Sequence, residues 1–482
     1  MGKKCVDCGA VKASEGLTYV WNAAGDAYEV MKGACTDTEI GIPAYYDGTP
    51  VVAVRDNAFK GDTSITSVVI ADGVESIGKC AFYECTALVD VDIPESVKNI
   101  GAEAFYCTSV TRVSLPGVVT VGDVAFKECE QLTEVIFGDA LESIGSAAFG
   151  CCPGITEISF PESLLTIGGY SFQKTALVDV YIPDSVISIG AVAFASCPDL
   201  EKISIGSGVT EIGVLAFDGC VSLTDIEVSA DNTAYQSIDG NLYSKDGKTI
   251  VRYAIGKPDY EFILPEKVTA VGEHAFNTAR NLVSITLGGN LTKINNFAFQ
   301  NCDKLVEVVN RSAMRLYAGR TDDGYVAYYA KEVHGANASK VVNSDGLLFF
   351  TYQGASYFLG YAGDSAEIVL PESYNGAGYE IYRYALYRNS SITSVTLGAK
   401  VSKIGNYAFA DCTALQSVNI PLAVKNIGAY AFDGCTSLLE ARFEGLDYWR
   451  LPNGKYIYNL SDTQTAAESL ALTYASKEWK WG

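Results

Sequence analysis

Fourteen cysteines and two histidines carry the widest chemical reach in this 482-residue chain. Eight of the cysteines stand three residues after the second member of an Ala-Phe pair: Cys85, Cys129, Cys152, Cys197, Cys220, Cys302, Cys412 and Cys435, with Cys107 one place early. Thiolates at fixed spacing can hold soft metals or exchange disulfides. The plainer reading is a buried ladder in which each thiol is a small hydrophobe and a weak donor to the next turn. Parallel Cβ directions in stacked turns argue against disulfides between rungs, and the ladder is the reading we favour. Cys5-x-x-Cys8 has the spacing of half a zinc knuckle. A zinc site needs four ligands, and no second CxxC follows, so no metal is expected unless other residues supply the partner pair.

The histidines offer little. His274 lies two residues before Phe276, at a variable and solvent-facing position, and is expected to be idle. His334 lies in an irregular stretch with no matched Ser, Cys or carboxylate motif. No GxSxG, HExxH, P-loop or dinucleotide fingerprint appears. Thr321-Asp322-Asp323-Gly324 is the nearest approach to a calcium loop and lacks its alternating ligands and closing Glu. Glu75, Glu95, Asp184 and Glu211 fall where charge faces solvent. The chain reads as a non-enzyme with no catalytic, cofactor-binding or metal site and no cofactor.

What positions these residues is a repeat. Phe59, Phe82, Phe105, Phe126, Phe149, Phe172, Phe194, Phe217, Phe276, Phe299, Leu386, Phe409 and Phe432 occupy one recurring position, most of them 23 residues apart. A period of that size means a solenoid. The stretch Ser64 to Cys85 shows the unit. First comes an apolar-x-x-apolar-x-apolar run, often closed by Pro, as in Leu88, Val91, Ile93 and Pro94. Alternating β-branched residues read as a short strand. Next comes apolar-x-x-apolar-Gly, with Gly in ten units and Asn295 in one. Gly with Asn as its substitute predicts a positive φ at that position. Last comes the Ala-Phe pair. One such unit cannot bury its own apolar face, so stacked units share a continuous core.

The motif L-x-x-V-x-I-P-x-x-V-x-x-I-G-x-x-A-F-x-x-C, quoted from Leu88 to Cys107, resembles the BspA-like class of bacterial leucine-rich repeats. The resemblance covers roughly residues 40–445. It implies an α/β solenoid of leucine-rich-repeat type, with about thirteen repeats and a parallel β-sheet face. It also implies a surface-exposed or secreted protein of a host-associated bacterium, in a class where several members are regarded as adhesins for host extracellular proteins.

Composition narrows the partners. The net charge of −22 repels phosphate backbones and anionic lipid, so nucleic acid and direct membrane insertion are not expected. No run of 18 apolar residues exists. Met1-Gly2-Lys3-Lys4 is not followed by an apolar stretch, so no signal peptide is read and the chain looks like a segment of a longer precursor.

Along the chain, residues 1–15 read as a disordered remnant and 16–58 as a hairpin cap with the first repeat. Residues 59–228 are an uninterrupted stack, 229–265 a hairpin insert, and 266–307 further repeats. Residues 308–371 form a large aromatic insert with a hairpin, 372–443 resume the repeats, and 444–482 form a C-terminal cap. Gly25, Gly247 and Gly354 mark the hairpin turns. Ser461-x-x-Gln464 predicts a capping box, and a helix over 465–474 with Leu470 on its apolar side. Fifteen Tyr and Phe residues crowd the span from Tyr317 to Tyr387. Tyr317, Tyr325, Tyr328, Tyr329, Phe350, Tyr352, Tyr357 and Tyr361 are the candidate binding patch, because Tyr supplies contact area at low entropy cost. The plainer alternative is that these rings pack on each other and on the side of the solenoid. The function expected is a surface or secreted binding protein, possibly an adhesin, with a protein or glycan ligand. The alternative is a spacer that displays a domain outside this sequence.

Overall fold

The computed structural model describes residues 10–445, 449–457 and 460–481, so the Cys5–Cys8 pair lies outside the described residues. The chain divides into two compact units, Met1–Lys257 with Val271–Asn277, and Pro258–Ala270 with Thr278–Gly482.

In the first unit most coils contribute two strands, a short one to a single continuous parallel array and a longer one to one of three separate parallel sheets. The short set runs Ser76–Ile77, Asn99–Ile100, Thr120–Val121, Ser143–Ile144, Thr166–Ile167, Ser188–Ile189 and Glu211–Ile212, paired in register from coil to coil. The longer set carries the apolar-x-apolar run. Glu39–Ile42 pairs Ser67–Ile70, and Asp179–Ile182, Lys202–Ile205 and Asp225–Val228 pair in turn. The alternation seen in the sequence places Val180, Ile182, Ile203 and Ile205 inside. A hairpin of Thr18–Trp21 and Tyr28–Met31 precedes the stack. An antiparallel meander of Tyr235–Ile238, Asn241–Ser244 and Thr249–Arg252 follows it.

The third side of each coil is the Ala-Phe turn, and here the backbone is unusual. The residues two before and two after the Phe take left-handed φ in coil after coil: Cys80 (53°) and Glu84 (55°), Glu103 (58°) and Cys107 (57°), Val124 (62°) and Glu128 (60°). This alternation aims every second N–H at the next coil. The amides of Cys80, Phe82 and Glu84 donate to the carbonyls of Ala102, Ala104 and Tyr106 at 2.9, 2.7 and 2.8 Å. The intervening amides close turns within the coil, as Ala81 to Gly78 and Cys85 to Phe82. A left-handed L-residue costs about 1–2 kcal/mol. Three inter-coil bonds at about 1 kcal/mol each roughly offset two such residues. Burial of each Phe, worth about 1.5–3 kcal/mol, decides the balance in favour of stacking.

Those Phe rings form a spine. Phe59 to Phe82, Phe82 to Phe105, Phe105 to Phe126 and Phe126 to Phe149 stack at 5.1, 5.2, 4.9 and 5.3 Å. Beside the spine runs the thiol ladder. Cys85, Cys152 and Cys220 donate to the carbonyls of Phe59, Phe126 and Phe194 at 3.0, 3.1 and 3.0 Å. Each rung reaches back to the preceding coil rather than forward. Cys107 is not a rung: it is half-buried with left-handed φ. Thr108 takes its place, donating to the carbonyl of Phe105 at 3.0 Å and touching Cys129 Sγ at 3.3 Å.

The conserved-looking glycines need correction as well. Gly78, Gly101, Gly145 and Gly405 have no positive φ; that conformation belongs to the flanks of the Phe. A Cβ on any of these four glycines would lie 2.6 Å from backbone of the preceding coil. Close approach, not left-handedness, excludes a side chain there.

The second unit repeats the pattern. Glu261–Ile263, Ser284–Leu287, Glu307–Asn310 and Glu332–His334 form one parallel sheet. The stretch from Asn310 to His334, patternless in sequence, is therefore a coil: its Gly324 carbonyl accepts from Phe299 N at 2.7 Å. Val342–Ser344, Leu347–Tyr352 and Ala355–Tyr361 form the second meander. The C-terminal helix spans Thr463–Glu468 and continues as a π-turn over Ser469–Thr473. Its cap is Asp462, whose carboxylate accepts from Thr465 N at 2.7 Å, not Ser461.

Gly101→Ala places a methyl 2.6 Å from Gly78 C and Lys79 N. We expect a loss of more than about 2 kcal/mol in urea unfolding. Gly289→Ala, whose Cβ meets nothing nearer than 3.7 Å, should stay within about 0.5 kcal/mol of the parent.

Candidate functional site

Three strands of the second unit carry a row of side chains in register. Tyr357 pairs Glu380, and Glu380 pairs Lys403. Just beyond these strands lie Tyr382 and Arg383, then Gly405 and Asn406. Tyr329, Ala330 and Lys331 descend from the preceding irregular coil. Together they line an open groove of about 650 Å³.

The repeat explains why the groove opens here. Ile381-Tyr382-Arg383-Tyr384-Ala385-Leu386 occupies the register of Ile77-Gly78-Lys79-Cys80-Ala81-Phe82, so Tyr382 stands where other coils need Gly. The layer before it is the hairpin strand Ala355–Tyr361 rather than a repeat turn. The space that Gly concedes to a neighbouring backbone elsewhere is free here, and a Tyr fills one wall of it.

The groove is cationic and aromatic. Lys331 Nζ lies 4.2 Å from the centroid of Tyr357 and 5.5 Å from that of Tyr382. The Arg383 guanidinium lies 4.9 Å from Tyr329 and 5.5 Å from Tyr382. Neither cation has a carboxylate at ion-pair distance among the described residues, and the buried Arg383 Nε has no hydrogen-bond acceptor. Lys403 stands 3.9 Å from Glu380. The other nearby carboxylate, Asp303, is committed to Arg280 at 3.5 Å and to the Tyr329 hydroxyl. Burial lifts Asp303 above the usual carboxylate range although Arg280 and Arg383 oppose it. Burial and then Asp303 push Tyr329 up to about 12, so its hydroxyl keeps its proton.

Of the eight aromatic residues singled out from the sequence, Tyr329 and Tyr357 line this groove. Tyr317 is exposed, with Arg320 5.9 Å over its ring. Tyr325 stacks on Phe297 at 5.8 Å, and Tyr328 sets its edge to Tyr325 and Tyr329. Tyr352 holds Gln353, and Tyr361 accepts from Ser365 N. Phe350 is not a surface residue: it is fully buried with Val283, Val306, Leu348 and Leu359. Sequence reasoning missed Lys331, Glu380, Tyr382, Arg383 and Lys403. The available signal was the loss of Gly at position 382.

Two further polar groups are buried nearby in chain order. Glu307 is fully buried and accepts four bonds: from Ser284 Oγ (2.7 Å), Ser339 Oγ (2.5 Å), His334 Nε2 (2.8 Å) and Lys340 N (2.7 Å). His334 thus has a carboxylate and a serine beside it, contrary to the sequence expectation. Its Nδ1 accepts from Ala336 N at 3.1 Å, which leaves the proton on Nε2 facing Glu307. Both serine hydroxyls bond the carboxylate rather than the imidazole, so no nucleophile is activated. The cluster is a lock on the strand Glu307–Asn310. Its bonds hold Glu307 below the usual carboxylate range despite burial. Lys304 is buried too, donating to Ala385 O at 3.1 Å, and burial pushes its amine down to about 8. His274 is half-buried, and its carbonyl is held by Arg252 at 2.8 Å. No group of three metal-ligating side chains occurs among the described residues.

Parallel-strand coils on a Phe spine, capped by a hairpin and a helix, define a leucine-rich-repeat solenoid. The profile of the BspA-type leucine-rich repeat region matches residues 52–176, 119–246, 258–316 and 367–452, more than half the chain. The chain belongs to that family. Among solved structures it is similar to a leucine-rich cell surface protein of Faecalibacterium prausnitzii, at 24% identity over 92% of this chain and 96% of that one, with a TM-score of 0.50. It is also similar to a leucine-rich repeat protein of Eubacterium ventriosum, at 18% identity over 92% and 98% of the two chains, with a TM-score of 0.37. A leucine-rich repeat protein of Bacteroides ovatus matches at 20% identity over 89% and 93%, with a TM-score of 0.36. No curated protein matches the sequence. The family match and the first of these likenesses establish the fold.

Two stability experiments follow from the buried groups. Below pH 8 Lys304 is charged in both the folded and the unfolded chain, and the fold carries the full cost of burying it. Between about 8 and the ordinary 10.5 the folded chain sheds the proton first, so stability rises with pH. That interval corresponds to about 3 kcal/mol. Lys304→Met should therefore stabilise the protein by about 2 kcal/mol at pH 7, after losing one hydrogen bond, and should flatten the alkaline rise in urea titrations. Glu307→Ala removes a fully buried acceptor of four hydrogen bonds, strands the buried Ser284 hydroxyl and should cost about 2 kcal/mol or more. The parent's Glu307 contribution is present at neutral pH and lost as the pH falls through its depressed value. The variant's acid limb should be correspondingly shallower.

Proposed function

We propose that this protein is a non-enzymatic recognition module of the bacterial cell surface, and that the groove lined by Tyr329, Lys331, Tyr357, Tyr382, Arg383 and Lys403 is its binding site. The observation that carries the reading is a pair of aromatic-stacked cations, Lys331 and Arg383, with no carboxylate at ion-pair distance among the described residues, in a chain of net charge −22. Family membership supports a surface location, since a structural relative is described as a cell surface protein. Two ladder thiols, Cys85 and Cys129, fit that location. Burial pushes Cys85 up to about 12 and Cys129 up to about 11, and both donate to backbone carbonyls, so neither presents a thiolate to an oxidising exterior. No helix among the described residues is long and apolar enough to cross a membrane.

The test is capture by the immobilised full chain from a panel of host matrix proteins and of neutral and acidic glycans. Binding should fall at least tenfold in Lys331→Met and Arg383→Gln. Failure to bind any member, or equal binding by parent and variants, would remove the groove as the recognition site.

A further inference from the structure

Resting on the groove as the recognition site, we infer that its ligand is a carboxylate-bearing sugar, a sialic or uronic acid at the end of a glycan. Lys331 and Arg383 flank the same Tyr382 ring, each 5.5 Å from its centroid, so two cations converge on one aromatic platform. Arg383 Nε is buried with no acceptor. Burial closes that N–H to a ligand, so the guanidinium would meet one through its terminal N–H groups. A planar carboxylate matches the guanidinium fork, and the lysine adds a second point of charge. Glu380 and Asn406, on the same wall, supply an acceptor and an amide suited to sugar hydroxyls. The Tyr329, Tyr357 and Tyr382 rings give flat apolar edges for a pyranose.

Size and charge narrow the class. A volume of about 650 Å³ lies in the ~300–1,000 Å³ range of small-ligand sites and suits one or two sugar residues. Counting the lining side chains, the groove holds three cations, Lys331, Arg383 and Lys403, against Glu380. The chain around it carries −22, which repels a long polyanion but leaves a singly charged ligand within reach of the local cations. An acidic peptide fits less well. Peptides are held by strand addition or by apolar anchors. The strand Ala355–Tyr361 already pairs on both sides, with Leu347–Tyr352 and with Tyr379–Ile381. The lining offers only Ala330 and Ile381 as aliphatic contacts.

The test titrates the full chain by calorimetry with sialyllactose, methyl glucuronide, lactose and an oligoglutamate peptide. At least one acid sugar should bind, lactose should bind at least tenfold more weakly, and raising the salt should weaken the acid sugar. Comparison of the two acids tells a nine-carbon acid from a uronate. Lys331→Met and Arg383→Gln should each lose at least tenfold in affinity. Lys403→Met, at an exposed lysine whose loss leaves the fold intact, should lose severalfold, and Lys202→Met in the first unit should lose nothing. Equal binding of lactose, preferred binding of oligoglutamate, or acid-sugar binding untouched by the groove variants would overturn the inference. If neither acid sugar binds while another panel member is still lost in Lys331→Met and Arg383→Gln, the sugar class falls and the groove stands. If no ligand responds to those variants, both fall.

Discussion

Everything in this protein depends on one backbone constraint: each coil must hand its N–H groups to the next. The left-handed residues at the flanks of the Phe exist to do this. Cys80 and Glu84, or Val124 and Glu128, accept an unfavourable φ so that three alternate amides can face the neighbouring coil. The handover fixes the coil spacing near 5 Å, which the Phe rings then match by stacking. The same spacing leaves no room for a Cβ at Gly78 or Gly101 and brings the carbonyl of Phe59 within reach of Cys85. Spine, ladder and glycines are three results of one pitch.

Where the repeat is interrupted, side chains add to the handover. Tyr253 stands in for a Phe and stacks on Phe276 at 5.1 Å. Its amide still donates to Ala275 O at 2.9 Å, and beside it buried Arg252 adds side-chain bonds to His274 O at 2.8 Å and Asp218 at 3.0 Å. In the second unit Glu307, which opens a strand at a register held by exposed residues such as Glu134 and Asp179, is covered by the segment carrying His334 and Ser339 and acquires four donors. Lys304 is enclosed as well and keeps one carbonyl partner. The interruptions therefore add particular side-chain chemistry to the generic backbone bonding, and the groove is another instance of this.

The solenoid was legible because its signal is repeated: thirteen Phe-type positions agree on a register, and the strands, hairpins and core residues follow from it. The local reason for the Gly was misread. A residue that tolerates no side chain looks the same in sequence whether the cause is φ or a neighbouring backbone. The coil between Asn310 and His334 was invisible because its register is kept by backbone bonds such as Phe299 to Gly324, which carry no side-chain signature. The abundance of Tyr pointed to the region of the groove, yet Phe350 is fully buried while Tyr357, its direct partner across the hairpin and on the same face, is half-buried and reaches the groove. The cations were missed because Lys331, Arg383 and Lys403 are far apart in the chain and meet only through the strand order.

The uniform direction of the handover gives the stack a grammar. On the Ala-Phe side of each coil the amides point toward the following coil and the carbonyls toward the preceding one, as Cys80 N does to Ala102 O, while on the strand side amides such as Gly78 N point back to Val54 O. The opening cap must therefore donate, as Lys32 N does to Ala58 O at 3.1 Å. The closing cap must accept, as Ala475 O does from Tyr430 N at 2.6 Å. The two caps cannot be exchanged, but any whole coil presents the same joint on both sides. Tandem duplication or deletion of one unit leaves both ends intact, so the length of such a protein can drift in steps of about 23 residues without a new fold having to be found.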